Sequence, residues 1–161
     1  MDLLPQVRVP AQRPPLRDDQ VLVSGDVGRE WVIATPDLHA HAGLPVDVRY
    51  VTTRRREVHH VQGVPLHRVL ARTSLLVDDR RKMDHLTFVV IARSEDGFQV
   101  LLSWAEVDPE FGGCSALLAT RYNGEVLTRP TLVVPSDGRS SRYVRKVCGL
   151  HLARLGDRAG E

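Results

Sequence analysis

The chain has 161 residues, 42% of them hydrophobic, which suffices for one real core and hardly for two. Its formal net charge of +2 is small, its positive residues alternate with acids and its few aromatics are not interleaved as a stacking platform, so a nucleic-acid partner is not expected. Cys114 and Cys148 lie far apart without CxxC spacing, which argues against a disulfide framework or a zinc site and for a reducing cytoplasm, and no apolar run approaches the length that crosses a bilayer.

Residues 1–20, interrupted by Pro5, Pro10, Pro14 and Pro15, read as a mobile arm, either a solvated tail or a strap over a pocket or a neighbouring subunit. A single domain is expected over 21–155, with a short tail at 156–161. Val21 to Gly25 and Glu30 to Ala34 are β-rich, and Thr35-Pro36-Asp37-Leu38 predicts a short helix with Thr35 as N-cap, stopped by Gly43 and Pro45. Val46 to Thr53 alternates, with Val46, Val48 and Tyr50 on one face and Asp47 and Arg49 on the other. Glu57 to Gln62 predicts a further strand. In GVPLHRVLART, Pro65 opens a helix whose Leu66, Val69 and Leu70 form an apolar stripe.

Leu86 to Ala92 and Phe98 to Leu102 predict a hairpin closed at Asp96-Gly97. Ser103 and Glu106 have capping-box spacing at the start of a helix that Pro109 and Gly112-Gly113 end. Ala116 to Tyr122 and Glu125 to Leu127 predict a second hairpin around Asn123-Gly124. Thr131 to Val134 and Tyr143 to Leu152 then flank the polar loop PSDGRSS. Many short strands, a few short helices and no Gly-rich phosphate loop argue for an α+β, strand-dominated domain with mixed sheets.

Three runs carry a more specific signal: DGFQVLLSWAEVDPEFGG, LLATRYNGEVL and RPTLVVPSDGRSSRYVRKV. In this order they resemble the molybdopterin-binding domain of the sulfite-oxidase type, in which an "aDGY…lsl.El" hairpin and helix precede "llAy..NGepL" and "rLvvPgd..g.RyVk". GVPLHRVL is similar to the same family's "y.GvpL.dlL". The resemblance covers Val21 to Leu155 and is specific from Gly63 onward. It implies a compact, mainly β sulfite-oxidase-like fold, an oxidoreductase ancestry and a molybdopterin cofactor.

In that family a cysteine in a "C.GNRR"-like segment, at the end of the strand matching Val46 to Thr53, gives its sulfur to molybdenum. Here the text is Tyr50-Val51-Thr52-Thr53-Arg54-Arg55-Arg56: the arginines match in kind and the thiolate is replaced. A threonine hydroxyl is hardly ionised at neutral pH and is a poor ligand for a soft metal, so ordinary sulfite-oxidase turnover is not expected. The family's upstream Arg-Asn-His segment has no match in the Pro-rich arm.

By the resemblance, Thr52, Thr53, Arg55, Arg56, Arg139 and Arg142 border the cofactor pocket, where guanidiniums can receive a phosphate or carboxylate. Cys114, after Gly112-Gly113, is the candidate for a substitute metal thiol, although a free cysteine at a strand start more often packs as a small apolar residue. Cys148 reads as core. His59 and His60 are adjacent in a strand and must face opposite ways, so they do not chelate one metal together; either one, or Tyr143, is a candidate acid or base. Three functions follow: an anionic-ligand binder with an Arg-lined pocket; a cofactor-independent lyase, isomerase or cyclase; or a noncatalytic assembly module, dimerising through edge strands and the arm. A small anionic or organic ligand, without membrane or nucleic acid, is the expected partner.

Overall fold

Asp96-Gly97 and Asn123-Gly124 close the hairpins expected of them, and each hairpin belongs to a different sheet. The computed structural model describes residues 15–156, so most of the predicted arm and of the tail lies outside the described residues. In chain order the elements are β1 (Gln20–Gly25), β2 (Trp31–Ala34), α1 (Thr35–Ala40), β3 (Val46–Val51), β4 (Arg56–Pro65) and α2 (Leu66–Leu70). A 3-10 turn (Asp84–Thr87) leads into β5 (Phe88–Ser94), β6 (Gln99–Ser103), α3 (Trp104–Val107), β7 (Leu117–Tyr122), β8 (Glu125–Val133) and β9 (Val147–Arg154).

The strands form a five-stranded sheet, ordered β2-β1-β9-β5-β6, and a four-stranded one, ordered β3-β4-β7-β8. The first is mixed, because β1 and β9 run parallel while its other pairs are antiparallel; the second is antiparallel throughout. The architecture is thus the α+β, strand-dominated one expected. No helix among the described residues is long and apolar enough to cross a membrane.

The main core is held between the sheets: Val21, Val23, Leu150 and Leu152 from the first meet Val64, Leu118 and Leu132 from the second, with Val134 just past β8 and Leu66, Val69 and Leu70 of α2 added as the predicted stripe. A smaller core of Val48, Val61, Leu117, Ala119 and Val133 occupies the opposite face of the four-stranded sheet, where Tyr122 and Tyr143 pack on it. β4 and β7 approach unusually closely at a bulge after Gln62; a Cβ on Gly63 would lie 2.1 Å from the Leu118 carbonyl oxygen, so only glycine fits.

Four local expectations need correction. Thr35 is the first residue of α1 and not its cap: Ala34 takes the cap position, while the Thr35 hydroxyl and amide both donate to the Asp19 carbonyl, at 2.8 and 2.7 Å. Pro65 caps α2 as the last residue of β4. Thr131 to Val133 continue β8 through Pro130, which an edge strand tolerates. Tyr143 to Lys146 are not strand; one bridge pairs Val144 with Leu132, and Lys146 (φ 50°) breaks the chain before β9 begins.

Ser103 and Glu106 do form the predicted capping box, with Ser103 N–H donating to Glu106 Oε2 at 2.8 Å and Glu106 N–H to Ser103 Oγ at 3.2 Å. The described end of the arm is tied down: Gln20 already belongs to β1, and Arg129 donates to the carbonyls of Gln20 and Arg17 at 3.3 and 2.9 Å.

Candidate functional site

Alternation along β3 and β4 puts Tyr50, Glu57 and His59 on the smaller-core face, and the register sets Tyr50 directly opposite Glu57. One carboxylate oxygen of Glu57 then accepts from Tyr50 OH at 2.9 Å and from His59 Nε2 at 2.7 Å; the other accepts from Arg55 Nε at 3.1 Å. Bonds from His59, then Tyr50, then Arg55 hold the Glu57 carboxyl down at about 2.

The second histidine nitrogen is fixed from across the sheet. Asn123 Oδ1 accepts the backbone N–H of His60 at 2.8 Å, which orients the amide, and its Nδ2 therefore donates to His59 Nδ1 at 2.9 Å. Nδ1 is the acceptor and Nε2 carries the proton toward Glu57. The circuit Asn123–His59–Glu57–Tyr50 is closed, with no ring nitrogen left over.

Aromatic rings enclose it. Tyr50 stacks on His59 with centroids 5.2 Å apart, Tyr143 meets Tyr50 edge-on at 5.4 Å, and Tyr122 lies tilted 5.2 Å from His59. Burial, then Glu57, push the Tyr50 phenol well above its ordinary range, and burial pushes Tyr143 up to about 12. The Tyr143 hydroxyl is buried and has no hydrogen-bond partner among the described residues.

Beside this cluster opens a cleft of about 800 Å³ whose walls include His59, Tyr122, Asn123, Arg145 and Lys146. The acids Asp18, Glu95 and Glu125 also border it, with Glu95 taken by Arg129 at 2.5 Å. Arg145 and Lys146 are exposed, and neither is in an ion pair among the described residues.

The β3–β4 turn and the 135–142 loop are neighbours, joined by Val51 N–H donating to the Gly138 carbonyl at 2.9 Å. Within this pair of segments half of the expected ligand contacts are committed to the protein itself. Thr52 Oγ1 donates to the Arg55 carbonyl at 3.0 Å and accepts from the amides of Arg54 and Arg55 at 3.2 and 3.0 Å, so its hydroxyl closes the turn. Arg55 is bound by Glu57. Arg142 makes a two-pronged pair with Asp137, at 2.8 and 2.9 Å, and reaches Glu106 at 2.8 Å, which clamps the loop to α3. Thr53, Arg56 and Arg139 are exposed, and among the described residues no ion pair holds either arginine.

The two histidines diverge as alternation requires: His59 enters the cluster, while His60 stays exposed with Nδ1 2.5 Å from Asp47 Oδ1. Cys114 packs against the main core, its amide bound to the Glu106 carbonyl at 2.6 Å, and Cys148 sits on β9 in the other sheet. Glu57, Tyr122 and Asn123 escaped the sequence reading. Glu57 had a signal, since it stands two residues before His59 in a strand; Asn123 had been absorbed by its role as a turn residue.

Comparison with known protein families finds no match, and neither does comparison with curated proteins. Among solved structures the chain is similar to the sulfane dehydrogenase SoxCD from Paracoccus pantotrophus, with a TM-score of 0.62 and 16% identity over 87% of this chain. The match spans 40% of the SoxCD chain. At that identity the likeness is one of fold alone, and it carries no activity to this chain.

The donor set does not fit a thiolate-held molybdenum. The expected thiolate position falls on Val51, Thr52 or Thr53, none of which supplies a thiolate; the Thr52 hydroxyl is occupied by the turn, and Cys114 packs against the main core. Among the described residues, no group of three or more His, Cys, Asp or Glu side chains is placed to hold a metal ion.

Proposed function

We propose that this protein is a small sulfite-oxidase-like binding domain that takes an organic anion in the cleft beside His59, with the anionic group at Arg145 and Lys146 and the organic part against Tyr122. The observation that supports this reading above others is the pairing of two cations that hold no ion pair among the described residues with an aromatic wall. Arg145 is close enough to influence the Tyr122 phenol, so charge and ring serve one ligand. Of a molybdopterin-like cofactor, only the phosphate and ring find matching chemistry here; Arg56 and Arg139, on the adjoining turn and loop, are proposed as an outer contact for the same anion. Because the His59 circuit is closed, its role is to hold the wall rigid, and an acid–base function for His59 is not part of the reading.

The test is calorimetric titration with phenyl phosphate, together with molybdenum and pterin analysis of protein from cofactor-replete cells. Arg145→Ala with Lys146→Ala is expected to weaken binding by about ten-fold or more and to flatten its salt dependence. Unchanged affinity and salt dependence would refute the assignment, and stoichiometric molybdenum in the purified protein would refute the exclusion of the metal.

A further inference from the structure

A second cavity, of about 260 Å³, opens between β2, α1 and α2 and shares no lining residue with the His59 cleft. Its floor is apolar: Ile33, Leu38, Val64 and Val69 are all buried members of the main core, and Trp31 packs at their edge. Trp31 is held in place by its indole N–H, which donates to Thr73 Oγ1 at 2.8 Å. This is a fixed wall, because β2 carries the ring and the chain after α2 holds its polar end.

Two guanidiniums stand at the mouth. Arg68 lies in α2 and Arg72 follows four residues later, where the Ala71 amide still donates to the His67 carbonyl at 2.9 Å and keeps the helical course. That spacing sets both side chains on one side, a turn apart. Both are exposed, and among the described residues neither has a hydrogen bond or ion pair. Asp37 and His41 of the facing helix complete the rim, with His41 Nδ1 3.0 Å from the Asp37 carbonyl. Two arginines against one aspartate leave one net positive charge, which suits a monoanion better than a phosphate dianion.

We propose that this cavity is a ligand site for a small carboxylate with a compact apolar body. The carboxylate is bound by the Arg68 and Arg72 forks, and the body fills the space between Trp31 and the core residues. A volume near 260 Å³ accommodates a ring with a short side chain, since a dry cavity of roughly 150 Å³ already takes a benzene. The charge-assisted pair supplies orientation, and the apolar floor supplies most of the affinity.

The experiment is a ¹H–¹⁵N titration following the Trp31 indole and the amides of residues 68–73. Its probes are phenylacetate, the neutral 2-phenylethanol, and phenylalanine. Phenylacetate is expected to shift these signals saturably and to bind about ten-fold more tightly than the alcohol. Arg68→Gln with Arg72→Gln should bring phenylacetate down to the alcohol's level while leaving the rest of the spectrum in place. Val69→Phe, which fills the cavity, should abolish both. Phenylalanine binding more tightly than phenylacetate, and losing that advantage in Asp37→Asn, identifies an amino acid as the source of the carboxylate; weaker binding identifies a simple acid. Equal affinity for acid and alcohol, indifference to the paired arginine substitutions, or no shift of these signals at the solubility limit of phenylacetate overturns the proposal. The Arg145 and Lys146 variants do not touch this site, so either assignment can fail without the other.

Discussion

The two faces of the four-stranded sheet put the same alternation to opposite uses. Toward the five-stranded sheet, Val64, Leu118 and Leu132 make a dry interface whose value lies in area removed from water. On the other face a few apolar residues give way to Tyr50, Glu57, His59 and Asn123, whose value lies in the hydrogen bonds they make with one another. The lesson concerns site recognition. A face rich in chemistry-bearing side chains is not thereby reactive; the groups proposed to bind are ones that hold no ion pair among the described residues, Arg145 and Lys146.

Substitutions can break this contrast. Leu118→Ala, at a fully buried position on the dry face, should cost about 2–5 kcal/mol in urea unfolding. A loss comparable to that of an exposed site would mean that the sheets do not pack as described. A smaller effect is expected from acid on the polar face. The Glu57 carboxyl is lowered from 4.5 to about 2 in the folded protein, so the unfolded chain takes up its proton first. Its stabilisation is complete above pH 4.5 and is lost as pH falls toward 2. Glu57→Gln should therefore narrow the stability gap to the parent across that window, and a gap independent of pH would count against the Glu57 hydrogen bonds.

The smallest effects are expected at two tyrosines and should differ in sign. Tyr50→Phe removes a hydrogen bond that is made, at a cost of about 1 kcal/mol. Tyr143→Phe removes a buried hydroxyl without a partner among the described residues and should be neutral or stabilising by about 1 kcal/mol. Equal losses in thermal or urea unfolding would show that Tyr143 has a partner after all.

What could be read beforehand follows from range along the chain. Turns, the capping box and the α2 stripe depend on neighbours within four residues, and they were legible because local backbone preference decides them. The opposite orientation of His59 and His60 was legible for the same reason. The partners of Arg142 were not, since Asp137 and Glu106 lie five and thirty-six residues away and meet it only through the fold. Thr52 stands near the thiolate position of the family pattern, yet its hydroxyl is committed three residues downstream, a local turn bond that the side chain alone suggests. The Glu57–Tyr50 contact needed the register of β3 against β4. The arginines that became ion pairs and those that stayed open look alike as text.

The place of β9 has a consequence for synthesis. It is made after every other described strand, yet it lies between β1 and β5 in the middle of its sheet. Until Val147 to Arg154 have left the ribosome, β1–β2 and β5–β6 lack the strand that joins them, and each leaves bare one edge that only β9 covers. The nascent chain therefore carries two strand edges that seek a partner and find it last. A stop codon a few positions before Val147 is a more dangerous lesion than most substitutions within the core, because it releases a product with both edges open to other chains.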